Sequence, residues 1–432
     1  MLSYVKVFIV AFAVLVIGEP SQTYAKPKDK HFLPPRATSS VDHIVVVMME
    51  NRSFDHLFGW HPTANAMQEG LYYPDEEGLL HPTAPLAPDY QGCGHPDPDH
   101  SWAGGRIHYN NGAMDGFLLS GMNDGYAIGF YEENDRPFHN ALAREYMTFD
   151  NFFSPILAET FPNRIFMHAG QTDRLENTLD LSTLPTIWDR LLEKGVSARY
   201  YHSDISFLWL WGGKYLPISA SYDQFLADAA AGELPNVAFV EPRFLGEAEG
   251  VSNDDHPHAD IRAGDAFLAE TFHAVANGPQ WMNTVFIITY DEGGGFFDHV
   301  APPRAIAPNE VDPDLVNGKA LLGWRIPVVV ASPFTRGNPA NPRVVSTVFD
   351  NTSILKLIEW RWNLKPLTAR DASDDVGNLA FVLDLADPDP TVPELPLPVP
   401  PSIAPCPPLL ELPAIEIEDI LNLFPIGLTP MP

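Results

Sequence analysis

The sequence predicts an α/β domain built around a mostly parallel sheet. Between Asp42 and about Leu385, short apolar runs bounded by turn residues alternate with amphipathic stretches of helical period, the pattern of strands and helices packed in layers. Size and composition allow such a core. The chain has 432 residues, 45 % apolar and 11 % aromatic, which sets aside disordered, collagen-like and disulfide-stapled classes. One large domain or two modest ones is the expectation. The charge is lopsided, with 26 Lys plus Arg against 56 Asp plus Glu and a net of −30 when His is neutral. Counterion release needs clustered basic residues, so no nucleic-acid partner is expected, and no polybasic dock on anionic lipid.

At the N-terminus, Lys6 precedes an apolar run from Val7 to Ile17 and small residues before Lys26. The run is shorter than the ~20 residues that span a bilayer. Residues 1–25 therefore read as a signal peptide cut after Ala25, with an uncleaved anchor as the alternative. A secreted or periplasmic protein with no stable membrane span after cleavage is expected. Strands are expected at Ile44–Met49, Ala198–His202, Val237–Val240, Thr284–Tyr290 and Ile326–Ala331. Helices are expected at Thr186–Lys194, stopped by Gly195, at Ile261–Ala276, stopped near Gly278, and at Thr352–Trp362. Eleven prolines between Pro388 and Pro413 mark residues 387–432 as an extended, polyproline-like tail or linker, with a short amphipathic helix over Ala414–Leu423. Export permits a Cys93–Cys406 disulfide that ties this tail to the main body; two unpaired thiols are the alternative.

Two strand candidates end abruptly in acidic residues: Ile44–Met49 runs into Glu50-Asn51, and Thr284–Tyr290 into Asp291-Glu292. In an open α/β sheet, ligands collect outside the carboxyl ends of the strands. Three carboxylates delivered there repel one another unless a cation holds them, and hard oxygen ligands suit a divalent metal. Acidic residues also commonly begin loops, so either pair alone says little. In ILAETFPNRIFMHAGQTD, Thr160 precedes Pro162 and begins a helical pattern. A hydroxyl there either caps the helix or acts as a nucleophile in the field of the helix N-terminus.

Four motifs in order, MMENRSFDHLFGW, ETFPNRIFMHAG, YDEGGGFFDHVAPP and FDNTSILKLIEWRW, resemble the bacterial phosphoesterase family of phospholipases C and acid phosphatases, which has an alkaline-phosphatase-like fold. The resemblance spans about Val41 to Leu385 and implies a catalytic domain over 26–386, its sheet flanked by helices on both faces. It implies Thr160 as the nucleophile of a phosphothreonine intermediate, and Glu50, Asp291, Glu292 and the Thr160 hydroxyl as ligands of a divalent metal. Where this chain has Glu292, Asp also occurs in the family. Coordination makes chemical sense, because a threonine hydroxyl is a poor nucleophile until its alkoxide is favoured. Asn51 would donate to a phosphoryl oxygen. In HPDPDHSW, His100 resembles the histidine facing the phosphoryl group, with His95 a neighbour. In SNDDHPHADIRAG, His256 resembles the one that protonates the leaving oxygen, a task suited to an imidazole of pKa ~6.5. His299 is either catalytic, touching substrate, or an orienting residue. His168, His202 and His258 read as structural.

Oxygen ligands leave calcium, magnesium, manganese, iron and zinc open, with one ion or more. Substrate choice rests on pocket walls. Phe207, Trp209 and Trp211 offer faces for a choline ammonium, though such a cluster also serves as core packing. The leading expectation is a secreted, metal-dependent phospholipase C-like phosphodiesterase acting on phosphatidylcholine or a similar zwitterionic phospholipid. A broad acid phosphatase acting on phosphomonoesters is the close alternative, and an exported, non-catalytic binding protein the remote one. The acidic balance leans toward the zwitterionic substrate. Asn51-Arg-Ser53 and Asn351-Thr-Ser353 match glycosylation acceptors, the first discounted because it overlaps the expected site.

Overall fold

The computed structural model describes residues 33–407 apart from residue 248, so the expected leader and the helix expected over Ala414–Leu423 lie outside the described residues. Eight strands form the central sheet: β1 (His43–Met49), β2 (Met147–Phe149), β3 (Ala198–His202), β4 (Ser219–Ser221), β5 (Val237–Glu241), β6 (Thr284–Tyr290), β7 (Val329–Ala331) and β8 (Arg343–Val345). Their order across the sheet is β8-β2-β7-β6-β1-β5-β3-β4. All neighbours pair in parallel except β7, which runs antiparallel to both β6 and β2. A mostly parallel α/β sheet is the expected class.

Both faces of the sheet are covered. Every residue of Ile44–Met49 and of β6 is buried, which a strand achieves only when helices pack on each side. Pro137–Glu145 (α2) and Tyr222–Ala231 (α5) pack on Ile261–Ala276 (α6), whereas Ile187–Lys194 (α4) and Thr352–Trp362 (α7) pack on Thr160–Ala169 (α3). Trp102–Tyr109 (α1) lies among loops beside a second, smaller apolar cluster that includes Tyr73, Phe117, Phe130 and Trp324. Capping sets the helix bounds locally: Thr186 and Asp189 form a capping box at the start of α4, and Gly195 at φ 72° ends it.

One expected strand is shorter than its apolar run. Ile326–Ala331 yields only β7, because Pro327 carries no N–H for a ladder and the Ile326 N–H bonds to the Phe152 carbonyl at 2.9 Å instead. The proline-rich segment over 387–407 contains no helix or strand, and it is fastened to the body. Its Asp389 N–H donates to the Pro333 carbonyl at 2.8 Å, Trp281 Nε1 donates to the Pro390 carbonyl at 3.0 Å, and Leu395 joins the main core. Cys406 forms a disulfide with Cys93. Among the described residues, no helix is long and apolar enough to cross a membrane.

Candidate active site

The register of three parallel strands assembles the site. Val47 is level with Val240 of β5 and Met49 with Tyr290 of β6, so Glu50, Glu241 and Asp291 emerge at one edge of the sheet. Backbone bonds then lock the exits together. The Asp291 N–H donates to the Met49 carbonyl at 3.1 Å, the Glu50 N–H to the Asp254 carbonyl at 2.8 Å, and the Arg52 N–H to the Glu292 carbonyl at 3.1 Å. Asn51 is held at φ 58°, a left-handed conformation that aims its side chain into the cleft. Gly294 allows this turn: a Cβ there would lie 2.0 Å from the Asn51 carbonyl oxygen.

Thr160 is the first residue of α3 and is 5 % exposed. Its Oγ1 lies 3.2 Å from the Asn51 side-chain amide. The acceptors nearby orient that amide: with Nδ2 facing them it donates to Glu292 Oε1 at 2.8 Å and Thr160 Oγ1 at 3.2 Å, while Oδ1 accepts from His256 Nε2 at 2.9 Å. The helix start is less open than the sequence suggests. The Phe161 N–H donates to Asn177 Oδ1 at 2.7 Å, the Asn163 N–H to the Glu159 carbonyl, and Pro162 has no N–H.

The cation among the strand-end carboxylates is Arg164, one helical turn beyond Thr160. Its Nε lies 3.0 Å from Glu50 Oε1 and 2.9 Å from Asp291 Oδ2, and its Nη1 lies 2.8 Å from Glu241 Oε1, all four side chains being buried. This corrects the premise that only a bound ion could reconcile these acids. Spacing could have shown it, since residues i and i+4 share a helix face. Glu241 follows the rule applied to Glu50, an acid closing a buried parallel strand. Glu247 and Asp254 come from the loop before α6 and carry no local signal.

Arg164 does not balance the whole cluster. Burial pushes the carboxyls of Glu50, Glu247 and Asp254 well above the usual range, and burial with Asp291 nearby lifts Glu292 to about 8 against the pull of His100. The two histidines are held in opposite states. Burial opposes charge on His100, but Asp97, Glu292 and the Pro98 carbonyl prevail and raise it to about 9. Burial pulls His256 down to about 4, with Asp97 opposing. His256 Nδ1 lies 3.0 Å from the Pro257 carbonyl and Nε2 faces Asn51, so the neutral ring serves one of the two at a time. The ring centroids of His100 and His256 are 5.9 Å apart. The two shifts run in opposite directions, favouring charge on His100 and the neutral ring on His256.

A divalent ion fits the chemistry of this donor set. Glu50, Glu247 and His256 each present one ligand atom, all within 4.8 Å of one another, and Asp254 Oδ2 is buried without a partner. Asp291 is more engaged, its Oδ1 accepting from the N–H groups of Asn51 and Glu292 and its Oδ2 from Arg164.

Other residues singled out from the sequence lie elsewhere. His299 is paired through Nδ1 with Asp55 Oδ2, while its Nε2 faces Asn65; Asp55 and Asp298 are bound in turn by the fully buried Arg325. Asp55, Asp298 and His299 each present one ligand atom within 4.8 Å of one another, with Arg325 supplying a positive charge beside them. Trp211 is buried, donates from Nε1 to the Leu184 carbonyl and packs on His168 and Tyr215, so its ring serves the core. Trp209 is half-buried. Phe207 faces Arg164, whose guanidinium lies 5.9 Å from its ring. His95 bonds to Asp124 at 2.8 Å and stacks on Tyr126. Asn351 is fully buried and donates to the Tyr290 carbonyl, which removes it as a glycan acceptor in the folded chain.

Comparison with known proteins gives the class, then the family. Residues 41–365 match the Phosphoesterase family, which makes the chain a hydrolase acting on phosphoric ester bonds. The chain belongs to the Phosphoesterase family. It is 30 % identical over 403 residues to non-specific phospholipase C1 of Arabidopsis thaliana, covering 84 % of this chain and 74 % of that one. It is 30 % identical to phospholipase C B of Mycobacterium tuberculosis, covering 84 % and 81 %. Among solved structures it is similar to a protein in the alkaline phosphatase superfamily from Vibrio parahaemolyticus, with a TM-score of 0.39 and 10 % identity over 82 % of this chain and 72 % of that one.

Proposed function

We propose that this chain is an exported phospholipase C-like phosphodiesterase that cleaves zwitterionic phospholipids such as phosphatidylcholine, with Thr160 as nucleophile. The observation that carries the reading is one contiguous line of groups: Thr160 Oγ1, the Asn51 amide, His256 Nε2 and the His100 ring. Thr160 Oγ gives up its proton to the neighbouring carboxylate cluster and attacks phosphorus in line, and the diacylglycerol oxygen leaves. Water then cleaves the threonine–phosphate bond, restoring the hydroxyl and releasing the phosphorylated head group. Asn51 orients the hydroxyl and donates to a phosphoryl oxygen. The protonated His100 supplies charge to the phosphoryl group and a proton to the leaving oxygen, while His256 orients Asn51. Glu50 and Glu247 would hold a divalent ion, with Asp254, Asp291 and Glu292 as further acidic groups around it. That ion supplies Lewis acidity and favours the threonine alkoxide. The names of the plant and mycobacterial relatives support a lipid diester over a monoester.

Thr160→Ala is expected to lower turnover of p-nitrophenylphosphorylcholine at least about a thousandfold, the scale seen when an essential nucleophile is lost, while substrate binding persists. Unchanged hydrolysis removes Thr160 from the mechanism. Rapid release from p-nitrophenyl phosphate with none from the choline ester would replace this reading by a phosphomonoesterase.

A further inference from the structure

Exposed apolar side chains are concentrated in one part of the surface. Of the fifteen large apolar residues exposed among the described residues, seven fall between Met67 and Met122: Met67, Tyr72, Leu79, Leu80, Ile107, Leu119 and Met122. The segment around them holds His100 and Asp97. Its most regular piece is a hairpin that pairs Tyr72 with Pro82, Tyr73 with His81 and Pro74 with Leu80. Alternation along a strand sends Tyr72, Pro74, Leu80 and Pro82 to one face. That face looks outward, with Tyr72 at 60 % and Leu80 at 59 % exposure, while Tyr73 points inward and is buried. A hairpin lying on a protein normally turns its polar residues to water. Here the outer face is wholly apolar, and Leu79, at 63 % exposure, extends it at the turn.

We propose that this face docks on a zwitterionic lipid surface, a proposal that rests on the lipid reading of the active site. Two further observations select that occupant. First, the hairpin is anchored on the loops beside the catalytic cleft: its inward-facing Tyr73 packs on Phe117 and Phe297 at ring distances of 5.4 and 5.9 Å. Phe297 lies two residues after Gly295, where a Cβ would meet the Asp99 carbonyl oxygen at 2.8 Å, next to His100. Leu119 and Met122 flank Ser120 and Asn123, both of which bond to Asp99. Second, the charge fits choline-type head groups and opposes anionic ones. Between residues 67 and 123 the only Lys or Arg is Arg106, already paired with Asp312, and the charged His100 is buried in the cleft, whereas Asp75, Glu76 and Glu77 form the hairpin turn. Leu and Tyr side chains beside acidic groups suit insertion among zwitterionic head groups, where the ammonium faces the carboxylates.

The test is co-sedimentation of the Thr160→Ala chain with phosphatidylcholine vesicles and with phosphatidylglycerol vesicles, alone and with Tyr72→Ser, Leu79→Ser and Leu80→Ser combined. The proposal expects preference for the first vesicles and a loss of partitioning of at least about tenfold in the triple variant. In the otherwise wild-type background, the triple variant should keep its melting temperature and its turnover of soluble p-nitrophenylphosphorylcholine, and lose hydrolysis of vesicle lipid. Equal partitioning by the variant overturns the proposal, as does preference for anionic vesicles. A dimer that the substitutions dissolve would assign the face to a second copy and overturn it as well. If vesicle binding is lost as expected but no phosphoester is hydrolysed by the parent chain, the docking surface stands and the catalytic reading falls.

Discussion

Arg164 is the residue on which the site's electrostatics turn. Its fork reaches carboxylates from three different strand ends, and burial makes each contact both strong and costly to break. Replacing it with Gln leaves Glu50, Asp291 and Glu241 facing one another without a cation. Arg164→Gln is therefore expected to cost about 3–5 kcal/mol in urea unfolding. Arg164→Lys should recover only part of this, because an ammonium is a single point and cannot serve Nε and Nη1 partners together. A lysine variant of full stability would show that charge alone, not the fork, holds the strand ends. The neighbouring Thr160, Asn51, Glu50, Asp291 and Glu292 were all legible in the sequence as strand-end or helix-start residues. The opposite shifts of His100 and His256 were not, since Asp97 lies 3.9 Å from both rings while Glu292 favours charge on His100 and His100 in turn disfavours it on His256.

At the scale of elements, α3 carries the proposed nucleophile at its first residue and a buried histidine near its last. His168 sits among Trp188, Tyr200, Phe207, Trp211 and Phe239, and burial pulls its imidazole down to about 3, with Arg164 adding to the effect. The unfolded chain therefore binds the proton first. Stability from the neutral ring is complete above the ordinary value of about 6.5 and is lost as pH falls from there toward 3. His61 and His108, each lowered to about 4 mainly by burial, add to the same limb. The raised carboxyls of Glu50, Glu247, Asp254 and Glu292 act in the opposite sense, so the histidine contribution is read by difference: between pH 7 and pH 4 the melting temperature of His168→Phe is expected to gain on that of the parent chain. A variant with an unchanged slope would remove His168 from the acid limb. Helix bounds were readable because caps and glycines act locally, and α6 and α7 match the expected residues. The β7 run was misjudged because its hydrophobicity suits a strand while Pro327 and the Phe152 carbonyl deny its first half a ladder.

For the whole molecule, the segment over 387–407 works as a strap across the loops that carry the histidines. The Cys406 N–H donates to the Glu249 carbonyl at 2.8 Å, and Gln91 Nε2 bridges the carbonyls of Gly250 and Ala404 at 2.9 and 3.2 Å. Gly250, at φ 67°, is the meeting point: a Cβ there would lie 2.4 Å from the His258 carbonyl oxygen and 2.8 Å from Cys406 Sγ. The disulfide closes a separation of 313 residues. Cys406→Ser is expected to lower unfolding free energy by about 2–4 kcal/mol, read by urea denaturation under non-reducing conditions. No change would mean that the hydrogen bonds alone hold the strap.

The sequence by itself determined the layer architecture, the parallel strands, the family motifs and the residues placed at the strand ends. Those features follow from period, capping and side-chain type over a few neighbouring positions. Only the tertiary structure decided that Arg164 is the internal cation, that Glu241, Glu247 and Asp254 join the acids, that the Trp211 ring packs in the core while His299 pairs with Asp55, and that the tail is bound. Charge compensation and desolvation act between residues tens to hundreds of positions apart, and their balance exists only once the chain has buried them together.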